Sequence, residues 1–196
     1  MADALAHQPA RVGHPVGHGT DADELSNAEV DARLRVYEDF AAKQQKTPEL
    51  AGARVVETPP MLGVRQTRFV EGLYKLTADD ALTGRLQDDV VAISSCAIIN
   101  YSGYRRYLEH EGYDIPYRGL VPTGVDDLLV TGRCISSEQQ PYESHRAMVP
   151  MMAVGQAAGT AAALCSDTDV APCSLDVGLL QETLMAQNVE LRLPRK

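Results

Sequence analysis

The residues best placed to do chemistry stand in the run Ser144-His145-Arg146-Ala147-Met148-Val149-Pro150, directly ahead of an apolar stretch. A guanidinium such as Arg146 at a helix entrance can clamp a carboxylate or stabilise developing oxyanion charge, with an anchoring ion pair as the plain alternative. Histidine titrates near neutral pH, so His145 is a candidate acid or base, although neighbouring loop side chains often point apart. Arg65 and Arg68 lie three apart in a predicted strand, hence on opposite faces, and Arg65 is the better candidate for a cleft. Structural pairing with an acid explains Arg65 equally well. Tyr117 and Arg118 follow Pro116 in an extended segment, where the tyrosine either lines a cleft or packs.

Behind Pro150, the residues Gly155, Ala158, Gly159 and Ala162 recur at i, i+3, i+4 and i+7, so one face of the predicted helix carries almost no side chains. Another backbone or a flat group can approach there. The helix start presents unpaired amides and a partial positive charge, which suits an anion or an electron-rich oxygen. Close packing on a neighbouring strand accounts for the same small residues, and spacing alone leaves both readings open.

The other chemistry-bearing residues are dispersed. Cys96, Cys134, Cys165 and Cys173 form no CxxC pair and have no histidine at zinc-like spacing, so they read as reduced structural thiols. Cys134 is expected to be a buried small residue. His7, His14 and His18 fall in a lead-in rich in Gly, Pro and Ala, and no metal site is assigned. A net charge of −9 argues against a nucleic-acid surface, which needs a local excess of Lys and Arg. Charges and glycines interrupt the apolar runs before the roughly 20 residues that span a bilayer, and no secretory signal is evident. A cytoplasmic protein that engages neither nucleic acid nor membrane is the expectation.

The elements that must position these residues follow from capping and periodicity. After a flexible leader over residues 1–24, Ser26 and Glu29 have the capping-box form, predicting a helix over roughly 27–45 with a buried stripe of Val30, Leu34, Tyr37 and Ala41. Residues 53–58 and 61–70 are β-branched enough for two strands around Pro59-Pro60. Thr77 and Asp80 repeat the capping logic for a short helix ending at Gly84. Residues 88–99 form the next strand, and 115–122 and 127–135 two more around Pro122-Thr123-Gly124. A helix opens with Pro150 at its first position, and a last one, over about 175–187, is capped by Ser174.

Ordered motifs tie these elements to a family. The run Tyr113-Asp114-Ile115-Pro116-Tyr117-Arg118, then Leu120-Val121-Pro122, Asp127-Leu128-Leu129-Val130, Gly132-Arg133-Cys134-Ile135-Ser136 and Gly155-Gln156-Ala157-Ala158-Gly159-Thr160-Ala161-Ala162, resembles the C-terminal region of FAD-dependent oxidoreductases distantly related to fumarate reductase flavoproteins. Leu25-Ser26-Asn27-Ala28-Glu29 and Gly63-Val64-Arg65-Gln66-Thr67-Arg68 look like the same family, so the resemblance runs over about residues 18–165. It implies that the GRCIS segment approaches the cofactor and that the following helix start meets the flavin ring. Gly132, Arg133, Pro150, Met151 and Met152 are then the cofactor contacts, with Arg146, His145 and Arg65 as catalytic candidates.

One departure from the family shapes the reading. Members begin with a βαβ unit whose GxGxxG lets the backbone approach the FAD pyrophosphate, and no GxGxxG occurs in these 196 residues. Gly13, Gly17 and Gly19 have the wrong spacing. The expectation is therefore an α+β fold, a mostly antiparallel sheet with helices, completing the FAD-binding α/β domain of a partner chain. Residues 25–125 would form the substrate side and 126–196 the flavin-contacting strand and helices. The chain would be one subunit of an FAD-dependent dehydrogenase or reductase, inactive alone. It would share FAD with a Rossmann-containing flavoprotein subunit and pass a hydride between flavin and a small organic substrate. A truncated, non-catalytic interaction module of the same fold is the alternative.

Overall fold

The computed structural model describes residues 19–100 and 104–192, and the chain divides into two units between Thr67 and Arg68. His7, His14, His18, Gly13 and Gly17 lie outside the described residues.

The first unit is built on one long helix, α1 (Ala22–Lys46). Its cap is Asp21, whose carboxylate accepts from the Asp23 and Glu24 amides, with acids in the first turn and Lys43 and Lys46 in the last. Both charge placements favour the helix dipole. Ser26, the cap anticipated from sequence, sits inside the helix and donates to the Ala22 carbonyl. The helix thus starts five residues earlier than expected.

The predicted buried stripe is also corrected. Val30, Leu34 and Tyr37 are each more than half exposed, and Ala28 is the buried residue of α1. The segment after α1 is fastened by polar groups instead. Gln44 Nε2 reaches the carbonyls of Leu50, Ala51 and Ala53, and Arg33 donates to Thr58 Oγ1 and the Pro60 carbonyl. Residues 53–58 and 61–67 form no strand, and neither do 68–70 in the second unit. β-Branched residues make a strand only where a partner offers a ladder, and Pro59-Pro60 removes two donors.

In the second unit, α2 (Ala78–Thr83) realises the Thr77–Asp80 capping box in both directions and ends on Gly84 in the left-handed region. Four short strands follow: β1 (Val90–Ser94), β2 (Ile98–Ile99), β3 (Arg105–Arg106) and β4 (Tyr113–Pro116). β1 pairs antiparallel with β4, with a bulge between Val90 and Ala92, and β2 pairs antiparallel with β3. The predicted strand over 88–99 is therefore two strands, each with its own partner. The segment 127–135 is irregular.

Three helices complete the unit: α3 (Gln139–His145), α4 (Met148–Thr168) and α5 (Val177–Ala186). α4 lies on β1, and α5 packs against α4. The core gathers Val91, Tyr113, Ile115, Leu120, Val154, Ala157 and Leu180 from both sides of residue 125. α5 is capped by Asp176, which accepts from Gly178 and Leu179, while Ser174 closes a preceding 3-10 turn. Paired antiparallel strands packed beneath helices make this an α+β fold.

By length and mean hydropathy, 1.4, α4 meets the measure of a bilayer-spanning helix, which the sequence reading had not anticipated. Its Val154, Ala157, Ala158, Ala161 and Cys165 are buried in the core of the unit.

Candidate functional site

The site grows from the corner between α3 and α4. Two residues, Arg146 and Ala147, separate the helices, and Ala147 caps α4 without a side-chain bond. α4 opens at Met148, so Pro150 is its third residue and not its first. The difference is small in effect: all first-turn amides lack an intrahelical acceptor, and proline still gives up nothing there. Met148, Val149 and Met152 are 83%, 75% and 74% exposed, Pro150 is buried, and Met151 packs against the core.

The small-residue stripe continues this surface. A Cβ built on Gly155 or Gly159 would meet nothing within 4 Å. Ala158, by contrast, is buried in the core, so the four small residues do not share one environment. The open part is Gly155, Gly159 and Ala162, on the flank of a helix whose other face carries the packing.

The Gly132–Ser137 segment is held by backbone bonds to three places. Val70 N–H donates to the Cys134 carbonyl (2.8 Å), Leu76 N–H to that of Ser136 (3.1 Å), and Ser136 N–H to that of Gly119 (3.1 Å). Gly132 has φ 87°, a left-handed value that a side chain would strain, and Arg133 is exposed in the turn it starts. Cys134 is exposed, contrary to the buried role expected for it. Gly72 crosses so close that an added Cβ would lie 2.8 Å from Ser136 Cβ.

The catalytic candidates fall in different surroundings. Arg146 is half-buried, donates from Nη2 to the Ile99 carbonyl of β2 (3.0 Å) and lies over the Tyr142 ring. His145 is fully buried, its Nε2 3.1 Å from Ser137 Oγ, and burial pulls its pKa down to about 4. Arg65 is an exposed residue of the first unit. Tyr117 packs: it is buried, donates to the Pro172 carbonyl, and burial holds its hydroxyl far above the ordinary tyrosine range. Arg118 grips Asp89 through Nε and Nη2.

Sequence reasoning missed Ser137 and Ser144, which link the corner to the rest of the unit, and it gave Met148 and Val149 no role. Ser144 Oγ donates to the Cys96 carbonyl and lies 3.0 Å from Ser94 Oγ. Nothing in a serine's own sequence context marks it as such a link. A separate pocket of about 230 Å³ opens between residues 121–128 and Pro172-Cys173, and none of the predicted site residues lines it.

These features define an α+β protein in which an apolar helix start and a bare helix flank offer room for a flat ring. Comparison with known families gives the class its name. The chain belongs to the FAD dependent oxidoreductase family, whose family model matches residues 4–184. No curated protein and no solved structure matches it.

The family implies FAD as cofactor, and part of that molecule fits the residues present. The amides of Met148 and Val149, with apolar side chains exposed around them, are suited to the carbonyl edge and face of the isoalloxazine ring. The dinucleotide end needs a glycine-rich turn that lets the backbone approach a pyrophosphate, and the 196 residues contain no GxGxxG.

Proposed function

We propose that this chain is one subunit of an FAD-dependent oxidoreductase. It corresponds to the C-terminal half of enzymes distantly related to fumarate reductase flavoproteins and shares FAD with a partner chain that carries the Rossmann half. The observation that carries the reading is the exposed start of α4, where Met148, Val149 and Met152 lead into the bare flank of Gly155 and Gly159. An apolar surface of this kind, continuous with unaccepted amides, marks a place where something binds.

When bound, FAD supplies the site for hydride exchange with a small organic substrate. The chain's own residues do the rest. Met148 and Val149 would offer N–H groups to the ring's carbonyl edge, Gly132 and Arg133 would contribute to the surface that holds it, and Pro150 and Met151 fix the helix start to the core. Arg146, tied to β2 through Ile99, orients a carboxylate or carbonyl of the substrate. The four free thiols suit a reducing compartment, and we place the protein in the cytoplasm.

Co-purification with a Rossmann-type flavoprotein subunit encoded beside it tests the reading: a yellow complex with flavin absorbance is expected, and a colourless chain without a partner refutes it. Gly159→Leu sharpens the test. A Cβ there meets nothing in this chain, and leucine favours helix by about 1 kcal/mol over glycine. The variant should fold at least as well alone yet fail to form the yellow complex. Arg146→Ala should keep flavin and lose about a hundredfold in turnover.

A further inference from the structure

His145 was a candidate acid or base on sequence, and its surroundings point elsewhere. The Ser137 hydroxyl donates its proton to the Glu138 carbonyl at 2.7 Å. An oxygen engaged in that way meets the imidazole as an acceptor, so the proton of His145 sits on Nε2, which donates across 3.1 Å. Nδ1 keeps a buried lone pair with no hydrogen-bond partner among the described residues. Protonation would put a buried N–H on Nδ1, where the residue's own backbone offsets the burial penalty only in part. The ring is wedged edge-on against Tyr142, with centroids 6.0 Å apart.

The two ends of this bond belong to the two segments that matter. Ser137 closes the Gly132–Ser137 turn and bridges to Leu76, while His145 is the last residue of α3, three positions before α4 begins. We infer that His145 is a positioning residue: as a neutral Nε2–H donor it clasps Ser137 and so holds the glycine turn against the corner from which α4 starts. What the clasped segments are for rests on the proposed flavin function; the clasp itself does not.

The full chain, labelled with ¹⁵N in its histidine rings, tests this by NMR between about pH 5 and pH 8. Constant shifts of an Nε2–H tautomer are expected for His145. A titration midpoint near neutrality, or an Nδ1–H tautomer, overturns the inference. Amide hydrogen exchange supplies the second arm. Ser137→Ala and His145→Leu should speed exchange at residues 136–138 about tenfold, the effect of one buried hydrogen bond. His145→Gln, whose side-chain amide can donate to the same oxygen, should stay within about threefold of the parent. Equal acceleration by Gln and Leu, or none by Ser137→Ala, overturns it. Ser137→Ala leaves the ring in place, so the test stands even if His145→Leu does not fold. Neither arm requires flavin, and their failure would leave the flavin proposal standing, just as a colourless chain would leave the clasp standing.

Discussion

Asp114 is a fully buried carboxylate at the middle of β4, and it is held by three donors. Arg192 gives Nε and Nη2 to Oδ1 at 3.0 and 2.6 Å, and the Gln87 amide donates to Oδ2 at 2.9 Å. Burial raises its pKa, and the Gln87 amide and Arg192 only partly offset that rise. Replacing Arg192 by Met keeps an apolar stem and removes the charge. Breaking one side of a buried ion pair costs roughly 3–5 kcal/mol, because the remaining charge stays in a poor medium. The escape is protonation of Asp114, which from an ordinary carboxylate value to pH 7 costs about 4 kcal/mol and so sets a ceiling on the loss. At pH 5 that ceiling falls to about 1.5 kcal/mol.

The direction follows from linkage. A carboxyl whose folded pKa lies above its unfolded value contributes stability fully below the unfolded value and loses it as pH rises through the folded one. Without Arg192 the folded value climbs further, so the variant should recover on acidification. Thermal melts should show Arg192→Met about 6–12 °C below the parent at pH 7, the shift of about 3 kcal/mol in a chain of this size. At pH 5 the gap should shrink to less than half. A gap under about 1 kcal/mol at pH 7 would show that the pair lies outside the cooperative unit, and a gap independent of pH would refute the buried-charge argument.

Three further outcomes follow from local geometry. Gly84→Ala places a methyl group 2.7 Å from the His110 ring at φ 65°, so urea unfolding should report a loss of about 1–3 kcal/mol; an unchanged midpoint would mean that the α2 terminus is not as tight as described. Thr77→Ala removes the cap of α2 but leaves Asp80 bonded to Tyr74 Oη and the Thr77 amide, so a smaller loss of about 1 kcal/mol is expected by the same assay. Thiol labelling of the native chain should modify the exposed Cys134 and Cys173 quickly and the buried Cys165 only on unfolding; rapid labelling of Cys165 would contradict the packing of α4.

What was legible in the sequence was what neighbouring residues decide. Thr77, Asp80 and Gly84 specify a cap, a reciprocal bond and a left-handed stop within eight residues, and α2 appears where they place it. Ser26 and Glu29 suggested a start for α1 that the structure moves back to Asp21. Asp21 prevails because a cap there adds a turn containing Asp23 and Glu24, both favoured at the dipole's positive end. Residues 53–58 and 127–135 carry strand-like composition without strand partners, and pairing is a property of distant chain that composition does not encode. The burial of His145 likewise depends on a segment outside its own helix, since Ser137 meets it from the turn before α3.

α4 shows where the limit falls for the site itself. Its sequence carries two interleaved sets of small or apolar residues, and periodicity alone gives both an equal claim to the core. One set, Pro150, Val154, Ala157, Ala161 and Cys165, is buried in the second unit. The other, Gly155, Gly159 and Ala162, is left open beside Met152. Ala158 sits at the boundary and went to the core, which breaks the four-residue stripe that spacing suggested. The covered set contains Val154 and Cys165, whose larger side chains gain most from burial. The open set has almost nothing to bury, so the fold loses little by leaving it bare. A flat ligand or another chain that approaches closely gains most from that same smoothness, because no side chain stands in its way. The physics that excludes this flank from the core is therefore the physics that makes it available for binding.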